Sequence, residues 1–207
     1  MATMTIDAQF ATKELSEETW GDFVALFSRP GNGWNACWCM LCQRGRHLSR
    51  KDFPTKASQA QRNEQDKEDL VHRGQAHGII VYAENEPVGW CQFGPSDELP
   101  LSDDLPQDGP HWRITCFVTD KRFRRRGVAA VALRSALAAI AERGGGLVEG
   151  YPLDVTKAWP YTGTVELFAK EGFTEARRFL IHSNDFPRYD KNNVTNGSWV
   201  VVMQRTM

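Results

Sequence analysis

The chain has 207 residues, with 25 Lys and Arg against 26 Asp and Glu and a formal net charge of -1. That length supports one well-buried core with loop insertions, read here as a single domain over residues 1–207, and the balanced charge gives no overall field for nucleic acid or an anionic membrane. The first residues lack a basic start followed by an apolar stretch, and the longest apolar run, 128–133, is too short to span a bilayer, so a cytoplasmic address is expected.

Residues 10–15 predict a first strand. Ser16 then caps a helix whose Trp20, Phe23, Val24 and Phe27 recur at helical spacing, and Pro30 with Gly31 stops it. Residues 31–45 carry Gly, Trp and Cys without either period and read as a loop. Five cysteines is an odd count, and three crowd at Cys37, Cys39 and Cys42, unlike a secreted disulfide framework. Reduced thiols packed among Trp34, Trp38 and Met40 are expected to shape a pocket. A metal or redox site is the sharper reading of the same residues, with His47 as the fourth ligand that a zinc ion would need. The sequons at Asn193 and Asn196 are discounted with the secreted reading.

Residues 55–74 are rich in Gln, Glu and Lys and predict a solvent-facing helix. Residues 79–84 and 87–94 predict a hairpin turning at Asn85 and Glu86. Residues 95–111, rich in Pro, Asp and Ser, read as an acidic inserted loop, which would favour a cationic amine if it folds over a site. Residues 112–119 predict a strand, Lys121 to Arg126 a basic connection, and 128–143 a helix with Leu133, Leu137 and Ile140 along one stripe, ended by Gly144 to Gly146. A strand at 147–151, a short helix at 164–170 closed by Gly172, and strands at 173–181 and 198–204 complete the chain. Strands that pair early as a hairpin and alternate with helices late predict an α/β or α+β fold around a mixed sheet.

The segment Arg124, Arg125, Arg126, Gly127, Val128 and Ala129 lies between a strand and a helix. Unpaired first-turn amides and the helix dipole favour an anion there. Gly127 removes a side chain where backbone must approach phosphate oxygens, Ala129 keeps the helix start slim, and the arginines offer charge-assisted contacts. A diphosphate meets these demands. The bland reading is a solvated basic loop, and an RNA patch lacks the aromatics that would interleave with basic residues on a strand.

The run from Cys116 to Ala129, CFVTDKRFRRRGVA, resembles the acetyl-CoA-binding motif of the GNAT superfamily of N-acetyltransferases. Residues 166–173, ELFAKEGF, resemble that family's later helix-to-strand motif, residues 148–152, VEGYP, are similar to the strand between in some members, and residues 37–40, CWCM, resemble a loop in one branch. The resemblance implies a twisted, mostly antiparallel sheet of about seven strands with helices on both faces and a splayed cleft between the fourth and fifth strands. It implies acetyl-CoA as co-substrate, with pantetheine against Phe117 and Val118, pyrophosphate on residues 124–129, and Phe168 beside the cofactor. The implied reaction is direct attack of an amine, from a small molecule or a protein, on the acetyl or short acyl thioester, with no metal and no nucleic-acid or membrane partner. A homodimer through an edge strand or the C-terminus is compatible with it.

Two departures from the family pattern bear on proton transfer. Phe168 stands where many members carry a Tyr that protonates the thiolate, and Tyr161 where an Asn is frequent. Tyr161 and Tyr151 are therefore the candidate acids. Glu149 is the first candidate base, directly or through water, and His111 the second. Cys116 as an acyl-accepting nucleophile is weaker, because a Cys inside a β run is ordinarily just buried. The missing acid at Phe168 also motivates an alternative, an acyl-CoA sensor or catalytically degenerate transferase, and the cysteine loop a metal or redox module.

Overall fold

The computed structural model describes residues 9–30, 37–44, 55–100, 111–154, 161–181 and 198–207. Trp34, His47, Asn193, Asn196 and positions 101–110 of the acidic loop lie outside them. The strands are β1 (Phe10–Glu14), β2 (Gly78–Ala83), β3 (Glu86–Pro95), β4 (Trp112–Thr119), β5 (Leu147–Gly150), β6 (Leu153–Asp154), β7 (Thr174–Ile181) and β8 (Ser198–Thr206). The helices are α1 (Trp20–Phe27), α2 (Met40–Arg44), α3 (Lys56–His72), α4 (Val128–Glu142) and α5 (Val165–Lys170).

The strands form one sheet in the order β1, β2, β3, β4, β5, β8, with β6 and β7 both pairing to β8. Every pairing is antiparallel except β4 with β5. The expected mixed fold is borne out, with β6 as an added strand of two residues, too short to leave an alternating pattern. The β2–β3 turn falls at Glu84 and Asn85, one residue before its expected place, with Glu84 at φ 55°.

Helices cover both faces. On one face α4 lays Val131, Leu133, Ala136 and Ile140 on Ile79, Val81, Phe93 and Ile114. Its first residue, Val128, is admitted by Gly89 of β3, where an added Cβ would stand 2.2 Å from a Val128 methyl. On the other face Phe23, Leu26 and Phe27 of α1 pack with Trp38 and Met40 on Ile80, Tyr82, Trp90 and Val118. Phe23 meets Trp90 edge-on at 4.7 Å between ring centroids, a geometry that adds to the hydrophobic gain. Ahead of α1, the Ser16 N–H donates to Thr19 Oγ1 at 2.9 Å, bonding a backbone donor that precedes the helix.

Two sequence expectations need correction. Part of the loop expected at 31–45 is helical, because Trp38, Cys39 and Met40 are buried against α1 and the sheet and fold the chain into the short α2. And α3 is not merely solvent-facing: Gln59, Asn63 and Lys67, spaced four apart, are buried together with Val71. Hydropathy misses this face because it is polar, and part of what it meets is the Gln43 side chain of α2, which accepts from Lys67 Nζ. No helix among the described residues is long and apolar enough to cross a membrane.

Candidate active site

The cleft begins where parallel pairing stops. β4 and β5 pair at Trp112 with Val148, Arg113 with Glu149 and Ile114 with Gly150, while β4 continues to Thr119. A register shift between Gln92 and Phe93 leaves Thr115 as a bulge at that divergence, the kind of irregularity that re-aims side chains near sites. Beyond it Phe117 faces the α4 side, and Cys116 and Val118 the α1 side.

The segment expected to hold a diphosphate lies at the start of α4. Arg125 (φ 62°) and Gly127 (φ 85°, the residue ahead of the helix) turn the chain through left-handed conformations, which glycine adopts without strain. Nothing lies within 4 Å of the place where a Gly127 Cβ would be, so the backbone there is open to a ligand. Amides of the first turn have no carbonyl four residues back inside the helix. Arg125, Arg126 and Gly127 are exposed and Ala129 half-buried, while Val128 is buried against the sheet. These residues fit a diphosphate by charge, donor supply and steric access.

A buried carboxylate positions this loop. Asp120 accepts from the Arg122 N–H at 2.9 Å and from Arg122 Nη2 at 2.8 Å, and from Arg29 Nη1. Glu86 bridges the two arginines, 3.0 Å from Arg29 Nη2. Burial raises the Asp120 carboxyl, but Arg122 and Arg29 outweigh it and hold it well below the usual carboxylate range. A carboxylate lowered on folding stabilises fully above its unfolded value, about 3.9, and loses that contribution progressively as pH falls from there through its lower folded value. Asp120→Asn is therefore expected to cost about 2 kcal/mol at pH 7 and less at pH 2, where the unfolded chain is protonated but the folded carboxylate still keeps its charge. Urea midpoints at the two pH values check this.

Glu149 lies on the face opposite Val148, in the next-to-last β4–β5 pair before the cleft opens. It is 1 % exposed. Its Oε2 accepts from the Tyr151 hydroxyl at 2.7 Å and its Oε1 from Gln204 Nε2 at 2.5 Å, with Arg177 Nη2 3.7 Å away. Burial first, and the Glu149 charge second, push the Tyr151 phenol up, against the opposing pull of Arg113. Glu149 and Tyr151 thus form one hydrogen-bonded unit beside the splay, with Arg113 anchored to the Leu99 carbonyl at 2.6 Å.

Tyr161 approaches from the other wall. Its carbonyl accepts from the Phe117 N–H at 2.5 Å, so the amide expected to serve pantetheine is engaged in this structure and that bond must open for pantetheine to use it. Its phenol is pushed up to about 12 by burial and by the neighbouring Cys116, against the pull of Arg124. It carries its proton at every pH relevant to a thiolate. Phe168 is fully buried, edge-on to Phe117 at 6.0 Å and to Phe173 at 5.0 Å. Its ring fills the space beside Gly150 and Gly163, where added Cβ atoms would stand 2.2 and 2.9 Å from it.

His111 is set apart from these groups. Its N–H donates to the Leu147 carbonyl at 2.9 Å and its ring sits over Gly146, at the closed end of the β4–β5 pair. A concavity lined by Leu147, Lys170, Glu171, Gln204 and Arg205 opens beside the same closed end and not in the splay.

Sequence reading missed Lys67 and the partnership of two cysteines 77 positions apart. Cys39 Sγ and Cys116 Sγ lie 2.7 Å from each other, and the fully buried Lys67 ammonium stands among Cys39, Cys116, Cys37 and Cys42. The polar i, i+4, i+8 stripe of Gln59, Asn63 and Lys67 was the available signal. Among the described residues no group of three or more His, Cys, Asp or Glu is arranged to hold a metal ion.

Residues 42–173 match the family model described as the acetyltransferase (GNAT) family. No curated protein matches the chain. Among solved structures, an N-acetyltransferase from Staphylococcus aureus Mu50 superposes with a TM-score of 0.57 at 10 % identity, over 96 % of this chain and 99 % of that one. The ribosomal-protein-S5-alanine acetyltransferase from Vibrio fischeri does so at 0.54 and 11 % identity, over 100 % and 97 %. A ribosomal L7/L12 α-N-protein acetyltransferase in complex with coenzyme A gives 0.53 and 12 %, over 100 % and 98 %. At such identities the likeness concerns the fold.

Proposed function

Because the chain belongs to the GNAT acetyltransferase family, and so to the acyl-CoA-dependent acyltransferases, we propose that it moves an acetyl or other short acyl group to a primary amine by direct attack on the thioester. The observation that carries this is the splay of β4 from β5 after Ile114 and Gly150, with the α4 N-terminus following β4, Glu149 and Tyr151 on the β5 side, and Tyr161 against β4 at Phe117. In this reading one domain over residues 1–207 does the work, at a cytoplasmic address, as monomer or homodimer. The pyrophosphate rests on Arg124 to Ala129 and the pantetheine runs along Phe117 and Val118, past Phe168.

The chemistry needs a proton acceptor for the amine and a proton donor for the leaving thiolate. Glu149 is the acceptor, directly or through water. Tyr161, protonated at neutral pH and lying near Arg124, is the donor in place of the phenol that Phe168 lacks, and Tyr151 orients Glu149. His111, at the closed end, takes no part. The acceptor is a small-molecule amine or a protein amine. Ribosomal-protein acetyltransferases share the fold, which makes a protein N-terminus one class to include in the panel.

Free-thiol release from acetyl-CoA, measured over polyamines, amino acids, aminoglycosides and peptide N-termini, tests the reading. Turnover of at least one amine is expected, and Tyr161→Phe is expected to lower its kcat about 10–100-fold with little change in the KM for acetyl-CoA. Absence of acetyl-CoA binding in calorimetry would sink the proposal. The buried, protonless Phe168 favours a second reading, a CoA-binding sensor: tight binding without turnover across the panel selects it.

A further inference from the structure

The cysteines around Lys67 are unused by acyl transfer, and their placement is unusual in three ways. Cys39, ahead of α2, and Cys116, on β4 at the mouth of the cleft, come from distant parts of the chain, yet their sulfurs are 2.7 Å apart. The backbone that delivers Cys39 is strained: Trp38 and Cys39 are successive non-glycine residues at φ 51° and 52°, a conformation that costs energy and concentrates where function requires it. And a lysine lies fully buried beside them, its Nζ donating to Gln43, where an isolated ammonium would be costly without an anionic partner.

We propose that Cys39 and Cys116 are a reversible oxidation site, a dithiol that hydrogen peroxide converts to a disulfide joining the α2 segment to the cleft strand. The proposal stands on the thiols themselves and does not depend on what the acyl acceptor is.

The electrostatics agree with the geometry. Burial alone would raise the Cys39 thiol, but the shared hydrogen with Cys116 and the Lys67 charge oppose it, and the net direction is down. Cys116 moves up for the complementary reason, since one proton serves the pair. Burial lowers the Lys67 ammonium on balance, opposed by the neighbouring cysteines with Cys39 first. The other thiols differ: Cys42 is pushed up to about 12 by burial and by Cys37 and Cys39, and Cys91 rises well above the ordinary thiol value by burial. A thiolate is the nucleophile in this chemistry, so the pair should react ahead of both.

The steps balance. Peroxide enters past the half-exposed Cys116, and the Cys39 thiolate attacks one oxygen: the S–O bond forms, the O–O bond breaks, and the departing hydroxide takes a proton from Lys67 to leave as water. Cys116 then gives its proton to the Lys67 amine and attacks the sulfenic sulfur of Cys39. The S–S bond forms, the S–O bond breaks, and the second hydroxide leaves as water with the proton Lys67 has just received. Two thiol sulfurs are oxidised, both peroxide oxygens are reduced, and Lys67 is left neutral where no thiolate remains to hold its charge. Reduction by a small thiol reverses the sequence.

The test is peroxide treatment of the folded protein, with thiol counting and mass spectrometry of alkylated, non-reduced digests. A two-hydrogen mass loss, a drop of two titratable thiols, a cross-link joining the peptides of Cys39 and Cys116, and full recovery with dithiothreitol are expected. Lys67→Met should slow the loss at least tenfold, while Cys91→Ser should leave it unchanged. If Cys116→Ser does not fold, the wild-type cross-link map alone decides. A disulfide between other cysteines, oxidation of Cys39 or Cys116 only to sulfinic acid, or no reaction below the denaturation threshold overturns the proposal.

Discussion

Glu149→Gln is expected to lower kcat by about 10²–10⁴, the range associated with loss of a positioned proton acceptor, while the KM for acetyl-CoA changes by less than about threefold. The substitution is nearly isosteric, so Tyr151 can still donate to the remaining carbonyl oxygen, and only the acceptor capacity of the second oxygen is lost. That oxygen takes the Gln204 amide proton at 2.5 Å, which an amide –NH2 in its place cannot do. A local rearrangement is therefore expected too, and activity must be referred to the fraction of protein that binds acetyl-CoA. Tyr151→Phe separates orientation from proton transfer: it removes the 2.7 Å bond to Glu149 but leaves the carboxylate, and should cost only about tenfold in kcat. If Glu149→Gln keeps wild-type kcat per binding-competent molecule, the carboxylate is structural, and the Gln204 and Arg177 contacts are its purpose.

The backbone geometry of the candidate cofactor end was legible in the sequence because its requirements are local. A strand, a basic turn, a glycine and a helix are consecutive, and the glycine stands where the backbone turns left-handed with open space before it. The apolar stripe of α4 was equally legible, since Leu133, Leu137 and Ile140 follow helical spacing and are all buried. Proton-handling groups are different. Glu149 owes its surroundings to Gln204 on β8 and Arg177 on β7, and Cys116 its partner to residue 39, through contacts that no periodicity encodes. The α3 expectation failed for a related reason. Burial is read from apolar residues, and α3 hides a polar stripe whose partners on α2 are themselves polar. His111 adjoins β4 in sequence, and strand direction sets its place: the chain enters β4 at the closed end of the pair, and the splay opens beyond Ile114.

Reversing the charge of Arg126, alone or with Arg125, should raise the KM for acetyl-CoA by about 10–100-fold per residue, from the roughly 1.5–3 kcal/mol of a charge-assisted hydrogen bond, with kcat at saturation within a few-fold. Both side chains are exposed, so stability should stay within about 0.5 kcal/mol of wild type. Arg126 lies over the Phe123 ring at 5.4 Å, a contact that orients it across the mouth of α4. Asp120 ties down Arg122, whereas Arg125 and Arg126 are exposed. Gly127→Ala provides the backbone counterpart. Its φ of 85° costs a side chain about 1 kcal/mol, and the new methyl enters the space that phosphate oxygens need, so binding should fall further than stability does. Salt distinguishes this cradle from an ordinary basic loop: wild-type affinity for acetyl-CoA should weaken as ionic strength rises, and the dependence should flatten in Arg126→Glu. A charge-reversed double variant with unchanged KM would mean that the diphosphate is bound without Arg125 and Arg126, and that these two arginines are solvated surface.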